Sequence, residues 1–197
     1  RGGFGRALVV GRTDDVQAKL QEEGLGEAIS EIEIVNAANT EHLSEYKDFL
    51  YKRLQRSGFD QKDIHRLAAR DRHAFSALML AHGHADGLVT GATRKSAHVL
   101  DRINSVFDAK AEDGAVGVTA VLLKGRIIFI ADTLVHEWPD EEDLADIAEA
   151  AAAVARKMGI EPRVAFASFS TFGYPVSERA NKMHMAPQVL DKRGVDF

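Results

Sequence analysis

Cysteine is absent from the chain of 197 residues. That absence excludes disulfides, Cys-ligated zinc or iron–sulfur clusters, and any thiolate nucleophile. No apolar run approaches the roughly 20 residues of a helical membrane span, so no membrane partner is expected, and the opening residues do not read as a secretory leader. Positive charge is in deficit: 25 Lys+Arg stand against 30 Asp+Glu, a formal net charge of −5. A general polyanion binder needs a basic face, so nucleic acid is not an expected partner either. Proline is sparse at four residues, and glycine is ordinary at sixteen. A cytoplasmic protein is the expectation. The length allows burial of roughly two-thirds of the unfolded surface, enough for one full core or two small ones.

The ends carry a further expectation. The chain opens RGGFGRALVV, without Met, and stops at GVDF. RALVV is already strand-like and VDF reads as the beginning of a strand, so the sequence reads as a piece of a longer chain.

Between the ends, short apolar runs alternate with helical periodicity. Ala7–Val10 and Ile32–Val35 read as buried strands. Between them a helix capped by Thr13 or Asp14 is expected to end at Gly24. Leu43–Arg56 reads as a helix, and Gln61–Ala81 as another, with Ile64, Leu67, Ala68, Phe75, Leu78 and Met79 on its apolar face. DGLVTG (86–91) is expected as a short strand. Ala97, Leu100, Ile103 and Val106 mark the helix that follows. Val116–Leu123 and Arg126–Ala131 read as a hairpin joined at Lys124-Gly125. Asp140, with Asp143 three residues on, caps a helix whose expected stripe is Leu144, Ile147, Ala151, Val154 and Met158. Arg163–Ser168 reads as a strand, and Ser177–Lys192 as a last helix that Pro187 should interrupt. This alternation predicts a layered α/β fold with a largely parallel sheet.

Ligands of such sheets bind beyond the strand ends, near helix N-termini, and three polar turns have that placement. Thr90–Lys95 offers a glycine, hydroxyls and the cations Arg94 and Lys95, which suit a phosphate; an ordinary strand–helix turn fits the same residues. Asp132, at the end of Ala131-Asp132-Thr133, can orient a ligand or cap a local turn. Ser170 and Thr171 follow the RVAFAS run with no evident activating base, and read as hydrogen-bond donors or turn formers. HGHAD places His82, His84 and Asp86 together, but a metal site needs three or four convergent ligands, and no second cluster has to meet this one. No metal site is therefore assigned. The opening GGFG lacks the spacing of a dinucleotide fingerprint, and no P-loop is complete.

Taken in order, HADGLVTGATR, IIFIADTLVHEWPDEEDLADIAEAAAAVARKMGIEPRVAFASFSTFG and SERANK resemble the phosphate acetyl/butyryl transferase family over nearly the whole chain. The resemblance implies a three-layer α/β/α, two-domain phosphotransacetylase-like architecture, of which this chain is a fragment. Residues 1–115 would be part of the first domain, and residues 116–197 the crossover and part of the second. It also implies a cleft that takes coenzyme A and acetyl phosphate. Carried onto that cleft, Thr93, Arg94, Lys95, Asp132, Ser170 and Thr171 are the candidate contacts to acetyl-CoA or phosphate. The family's late Ser-Arg-Gly motif falls beyond Phe197, so no catalytic residue is assigned here.

The chain departs from the family pattern at three places. An arginine is usual ten positions after the glycine of the first turn; from Gly91 that position is Asp101, with Arg102 next. A one-residue helical shift turns a side chain by about 100°. Ser-Thr-Lys-Gly of many transferases is Ser170-Thr171-Phe172-Gly173, and the usual Asn after Ala-Asp-x-x-Val is His136. These departures resemble the C-terminal region of bacterial NADP-dependent malic enzymes. That branch implies upstream malic-enzyme domains of the same parent chain, which convert malate to pyruvate and CO2 with NADP and Mg or Mn. It further implies acetyl-CoA as an allosteric inhibitor and a homo-oligomer. A working phosphate acetyltransferase and a purely structural oligomerisation module are the alternatives.

Overall fold

A computed structural model describes residues 5–107, 115–171 and 174–195. The chain divides into two units, Arg1–Asp108 and Ala109–Phe197. Phe172 and Gly173, most of the opening GGFG, and the Asp196-Phe197 end of the expected VDF strand lie outside the described residues.

In the first unit, β1 (Leu8–Val10) pairs in parallel with β2 (Glu33–Val35), with Val9 opposite Ile34. The connection between them is α1 (Thr13–Glu22), closed by Gly24 at a φ of 71°. Neither Thr13 nor Asp14 caps this helix. Arg12 holds the N-cap position without a side-chain bond, and the two expected caps lie inside the first turn. The strand pair lies against a helical core built by α2 (Leu43–Leu54), α3 (Gln61–Arg70) and α4 (Arg72–Ala81), and α5 (Ser96–Asn104) packs on α4. Tyr46, Leu50, Ile64, Phe75 and Leu78 are its largest fully buried side chains.

The single helix expected over Gln61–Ala81 is two. All six residues of its expected apolar face are buried, but Asp71 leaves helical geometry at φ −97° and ψ 107°. Its carboxylate accepts from the backbone N–H groups of His73 (2.9 Å) and Ala74 (3.1 Å), so it caps α4. Aspartate competes with the helix for those donors, and here the competition ends one helix and begins the next. The strand expected over DGLVTG is also absent: residues 86–91 pair with no strand among the described residues, and Val89 is fully exposed. On α5 the buried residue is Val99, with Val106 just beyond the helix, whereas Ala97 faces solvent.

In the second unit, β3 (Val118–Leu123) and β4 (Arg126–Ala131) form the expected hairpin, with Leu123 opposite Arg126. Gly125, at a φ of 80°, supplies the left-handed residue of the two-residue turn. Asp140 and Asp143 close a reciprocal capping box on α6 (Glu141–Lys157). The buried face of α6 is Leu144, Ala145, Ile147, Ala148, Ala152 and Ala155, while Met158 is exposed. The alanines let α7 (Glu178–Arg193) come close, and Val189 and Leu190 pack on Ala145 and Ala148. Pro187 does not interrupt α7. It removes one backbone donor, but Ala186, Val189 and Leu190 around it are buried and hold the helix. Arg193 then ties α7 to α6 through Glu142, Asp146 and Glu149.

Residues 163–168 form no strand. An apolar run becomes a strand only where a ladder partner is available, and among the described residues none pairs with it. The expected α/β class therefore holds, but among the described residues the paired strands amount to one parallel and one antiparallel two-stranded sheet.

Phe75→Ala is expected to destabilise the first unit by about 3–5 kcal/mol, and Asp140→Ala the second by about 1 kcal/mol. Denaturant unfolding followed by circular dichroism measures both.

Candidate functional site

The two groups of candidate residues fall in different units, and each has its own local logic. In the first unit, Asp71 organises the approach to the Thr90–Lys95 turn. While one carboxylate oxygen caps α4, the other faces Arg102 Nε at 3.3 Å and His98 Nε2 at 3.8 Å, both on α5. His73, buried on the first turn of α4, hydrogen-bonds through Nδ1 to the Thr90 hydroxyl at 2.6 Å. The chain leaves Thr90 through Gly91 (φ 121°) and Ala92 (φ 60°), and the Thr93 N–H donates to the Gly91 carbonyl at 2.7 Å.

This bend delivers Thr93, Arg94 and Lys95 to the start of α5, where all three are exposed. Lys95 is the N-cap residue of α5, and no side chain caps the helix. Among the described residues, no carboxylate pairs with Arg94 or Lys95. Helix N–H groups, the positive end of the helix dipole and two cations thus share one turn, a combination that suits an anion. Arg102 is not available to it. Its Nε faces Asp71, and its Nη1 faces Asp101 at 3.3 Å.

In the second unit Asp132 is almost wholly enclosed, with 4% of its side chain exposed. Oδ1 accepts from the backbone N–H groups of Gly117 (3.1 Å), Leu134 (3.0 Å) and Val135 (3.1 Å). Oδ2 faces the His136 N–H at 2.8 Å and its Nδ1 at 2.6 Å. Burial pushes the carboxyl pKa up, but the hydrogen bonds from Leu134 and His136 outweigh it and bring the value down to about 2. Gly117 is part of the arrangement, because a Cβ there would lie 2.7 Å from Asp132 Oδ1. Asp132 holds a loop together and leaves little acceptor capacity for a ligand.

Ser170 hydrogen-bonds through its hydroxyl to that of Ser168 at 2.6 Å, and its N–H donates to the same Ser168 oxygen. Thr171 and Tyr174 exchange backbone hydrogen bonds. Nearby, Trp138 and Phe169 line a small cavity of about 380 Å³ with Ser177, Glu178, Arg179 and Lys182. The guanidinium of Arg179 sits 3.7 Å above the Trp138 ring. Sequence alone gives no signal for Trp138 at this place. EWPDEED reads as a capped helix start and hides the role of its tryptophan.

The histidines also assemble differently from the HGHAD reading. Asp86 is not in the cluster, and His82 turns Nδ1 to the Leu78 carbonyl at 2.8 Å. Instead His42, Glu45 and His84 bring one donor atom each within 4.8 Å of one another. The His42-x-x-Glu45 spacing on a helix was the available sequence signal for this trio. Among the described residues, no helix is long and apolar enough to cross a membrane.

The elements define an α/β protein. Residues 1–197 match the family described as phosphate acetyl/butaryl transferase, and the chain belongs to that family. An NADP-dependent malic enzyme of Rhizobium meliloti is 43% identical across 98% of this chain, which corresponds to 26% of that protein. A probable NADP-dependent malic enzyme of Rickettsia prowazekii is 36% identical over 98% of the chain and 25% of its own length. Among solved structures, the EutD phosphotransacetylase from Staphylococcus aureus has the same fold: TM-score 0.75, 24% identity, 95% of this chain and 57% of that one. The chain thus spans about a quarter of its malic-enzyme relatives and little more than half of that transferase.

Asp132→Asn should destabilise the second unit by about 2–4 kcal/mol, because an amide NH2 would face donors that need an acceptor. The Asp132 pKa is depressed in the folded state, so its stabilisation is fully present above about pH 4 and is lost as pH falls toward about 2. Unfolding free energies measured from pH 7 to pH 2 should therefore converge for the wild type and the variant at the acid end.

Proposed function

We propose that this region is the regulatory and assembly part of an NADP-dependent malic enzyme, and that its ligand is acetyl-CoA. The parent would oxidise and decarboxylate malate to pyruvate and CO2 while reducing NADP, with NADP and Mg or Mn held by malic-enzyme domains outside these residues. Residues 1–115 would belong to a first transferase-like domain, and residues 116–197 to the crossover and part of a second. The observation that carries the reading is the 43% identity to a malic enzyme across nearly all of this chain and a quarter of that protein.

The geometry agrees with binding rather than transfer. Thr93, Arg94 and Lys95 stand exposed at an uncapped helix start and would take the phosphates of coenzyme A. Asp101 occupies the position at which the family resemblance expects an arginine, and Arg102 beside it is engaged by Asp71 and Asp101. Ser170 and Thr171 are hydroxyl candidates in the second unit. Asp132 fits a ligand contact poorly, because both oxygens are already occupied. A bound effector regulates a distant site only by favouring one conformational or assembly state over another. We take the assembly state as the element that is shifted, in a homo-oligomer located in the cytoplasm.

The test uses the full-length protein with NADP and divalent metal saturating. Acetyl-CoA should lower malate-dependent NADP reduction, and Arg94→Ala/Lys95→Ala should raise the half-inhibitory concentration about tenfold, the loss of one or two charge-assisted contacts. Malate turnover that ignores acetyl-CoA would remove the regulatory role. Formation of acetyl-CoA from acetyl phosphate and coenzyme A would establish the transferase alternative.

A further inference from the structure

We propose that His42, Glu45 and His84 form a site for a divalent transition metal of the zinc type in the first unit. The inference is independent of the acetyl-CoA reading, since none of these residues belongs to the Thr90–Lys95 turn.

Two separate stretches of chain build the site. His42 stands at the N-cap position of α2 with no capping bond of its own, and Glu45 follows one turn later, so both project from the same helix start. After α4, Gly83 at a φ of 74° turns the backbone, and the His84 N–H donates to the Met79 carbonyl at 2.8 Å. That turn lays the His84 ring over the His42 ring, with centroids 4.0 Å apart. The three donor atoms lie within 4.8 Å of one another, and His42 Nδ1 is already 3.8 Å from Glu45 Oε2. Ligands at roughly 2.0–2.1 Å on a tetrahedral zinc stand a little over 3 Å apart. Closing the difference requires the stacked His42 and His84 rings, 28° apart in plane, to turn until both nitrogens aim at one point.

The outer contacts suit metal binding as well. A metal-bound histidine commonly uses one nitrogen for the ion and the other for a polar partner. His84 Nδ1 hydrogen-bonds to the buried Tyr46 hydroxyl at 2.6 Å, which leaves Nε2 open. On His42, Nδ1 faces Glu45 while Nε2 faces Glu41 at 3.8 Å. Two imidazoles and one carboxylate are a borderline-soft set, matched to zinc, cobalt or nickel rather than to magnesium. Three protein ligands leave at least one position for water or an anion. His42 and Glu45 are accessible, so an ion can enter from solvent.

Simple aromatic packing on Tyr46 would also bring His42 and His84 together, but it would not need Glu45. The experiment separates the two. The full-length protein, stripped with chelator, is titrated with zinc chloride alone, and bound metal is counted by elemental analysis for the wild type, His42→Ala and Glu45→Gln. The wild type should hold one equivalent more than either variant, or bind that equivalent at least tenfold more tightly, with zinc raising the melting temperature only in the wild type. Both substitutions lie on the accessible start of α2, and circular dichroism confirms that the variants are folded. Equal zinc stoichiometry and affinity in all three proteins would overturn the site, as would a wild type that takes up no zinc in excess of magnesium-replaceable metal.

Discussion

Asp71 cannot extend the helix that Gln61–Arg70 begins, because one of its oxygens is committed to the N–H groups of His73 and Ala74. The other oxygen draws in Arg102 and His98, so one carboxylate fixes where α3 ends, where α4 starts and how α5 approaches α4. His73 then anchors Thr90, and the anion-suited turn follows from that anchor. Asp132 plays the corresponding part in the second unit. With its side chain enclosed and five donors around it, it fixes the loop from β4 toward Trp138. A carboxylate taken out of water is costly unless fully paired, and in both units the pairing determines the local path of the chain.

The helix faces were legible because periodicity reports burial directly. Ile64, Leu67, Ala68, Phe75, Leu78 and Met79 are all in the core, and the Asp140–Asp143 capping box and the Lys124-Gly125 turn are local devices readable over a few residues. The break at Asp71 was not legible. An aspartate on the polar side of a periodic stretch looks solvated until its donors are seen. DGLVTG and RVAFAS failed as strands for a different reason. Apolar composition expresses a preference for burial, whereas a strand requires a partner that sequence does not supply.

The candidate ligand residues divide along the same line. Thr93, Arg94 and Lys95 read as candidate contacts from their types at a turn, and the structure leaves them exposed beside an uncapped helix start. Asp132 was chosen for its position at a strand end, where ligand contact and turn capping could not be told apart. Its hydrogen bonds favour the cap. The His42–Glu45–His84 trio was missed because its halves are some forty residues apart in the chain and meet only through the packing of α2 against the core of α3 and α4.

Binding and transfer make different demands on these residues, and that difference bears on function more strongly than fold does. Transfer needs a group able to accept or deliver a proton near neutral pH. Asp132, with a pKa brought down to about 2, stays ionised there and is at most a weak base, its oxygens already taken by hydrogen bonds. The Ser170 hydroxyl is turned to Ser168 rather than to a base. Arg102, one residue from the position at which the family resemblance expects an arginine, is engaged by two carboxylates. Binding asks only for exposed cations and N–H donors aimed at an anion, and the start of α5 retains both. The exposed start of α5 therefore fits the proposed anion binding better than it fits group transfer.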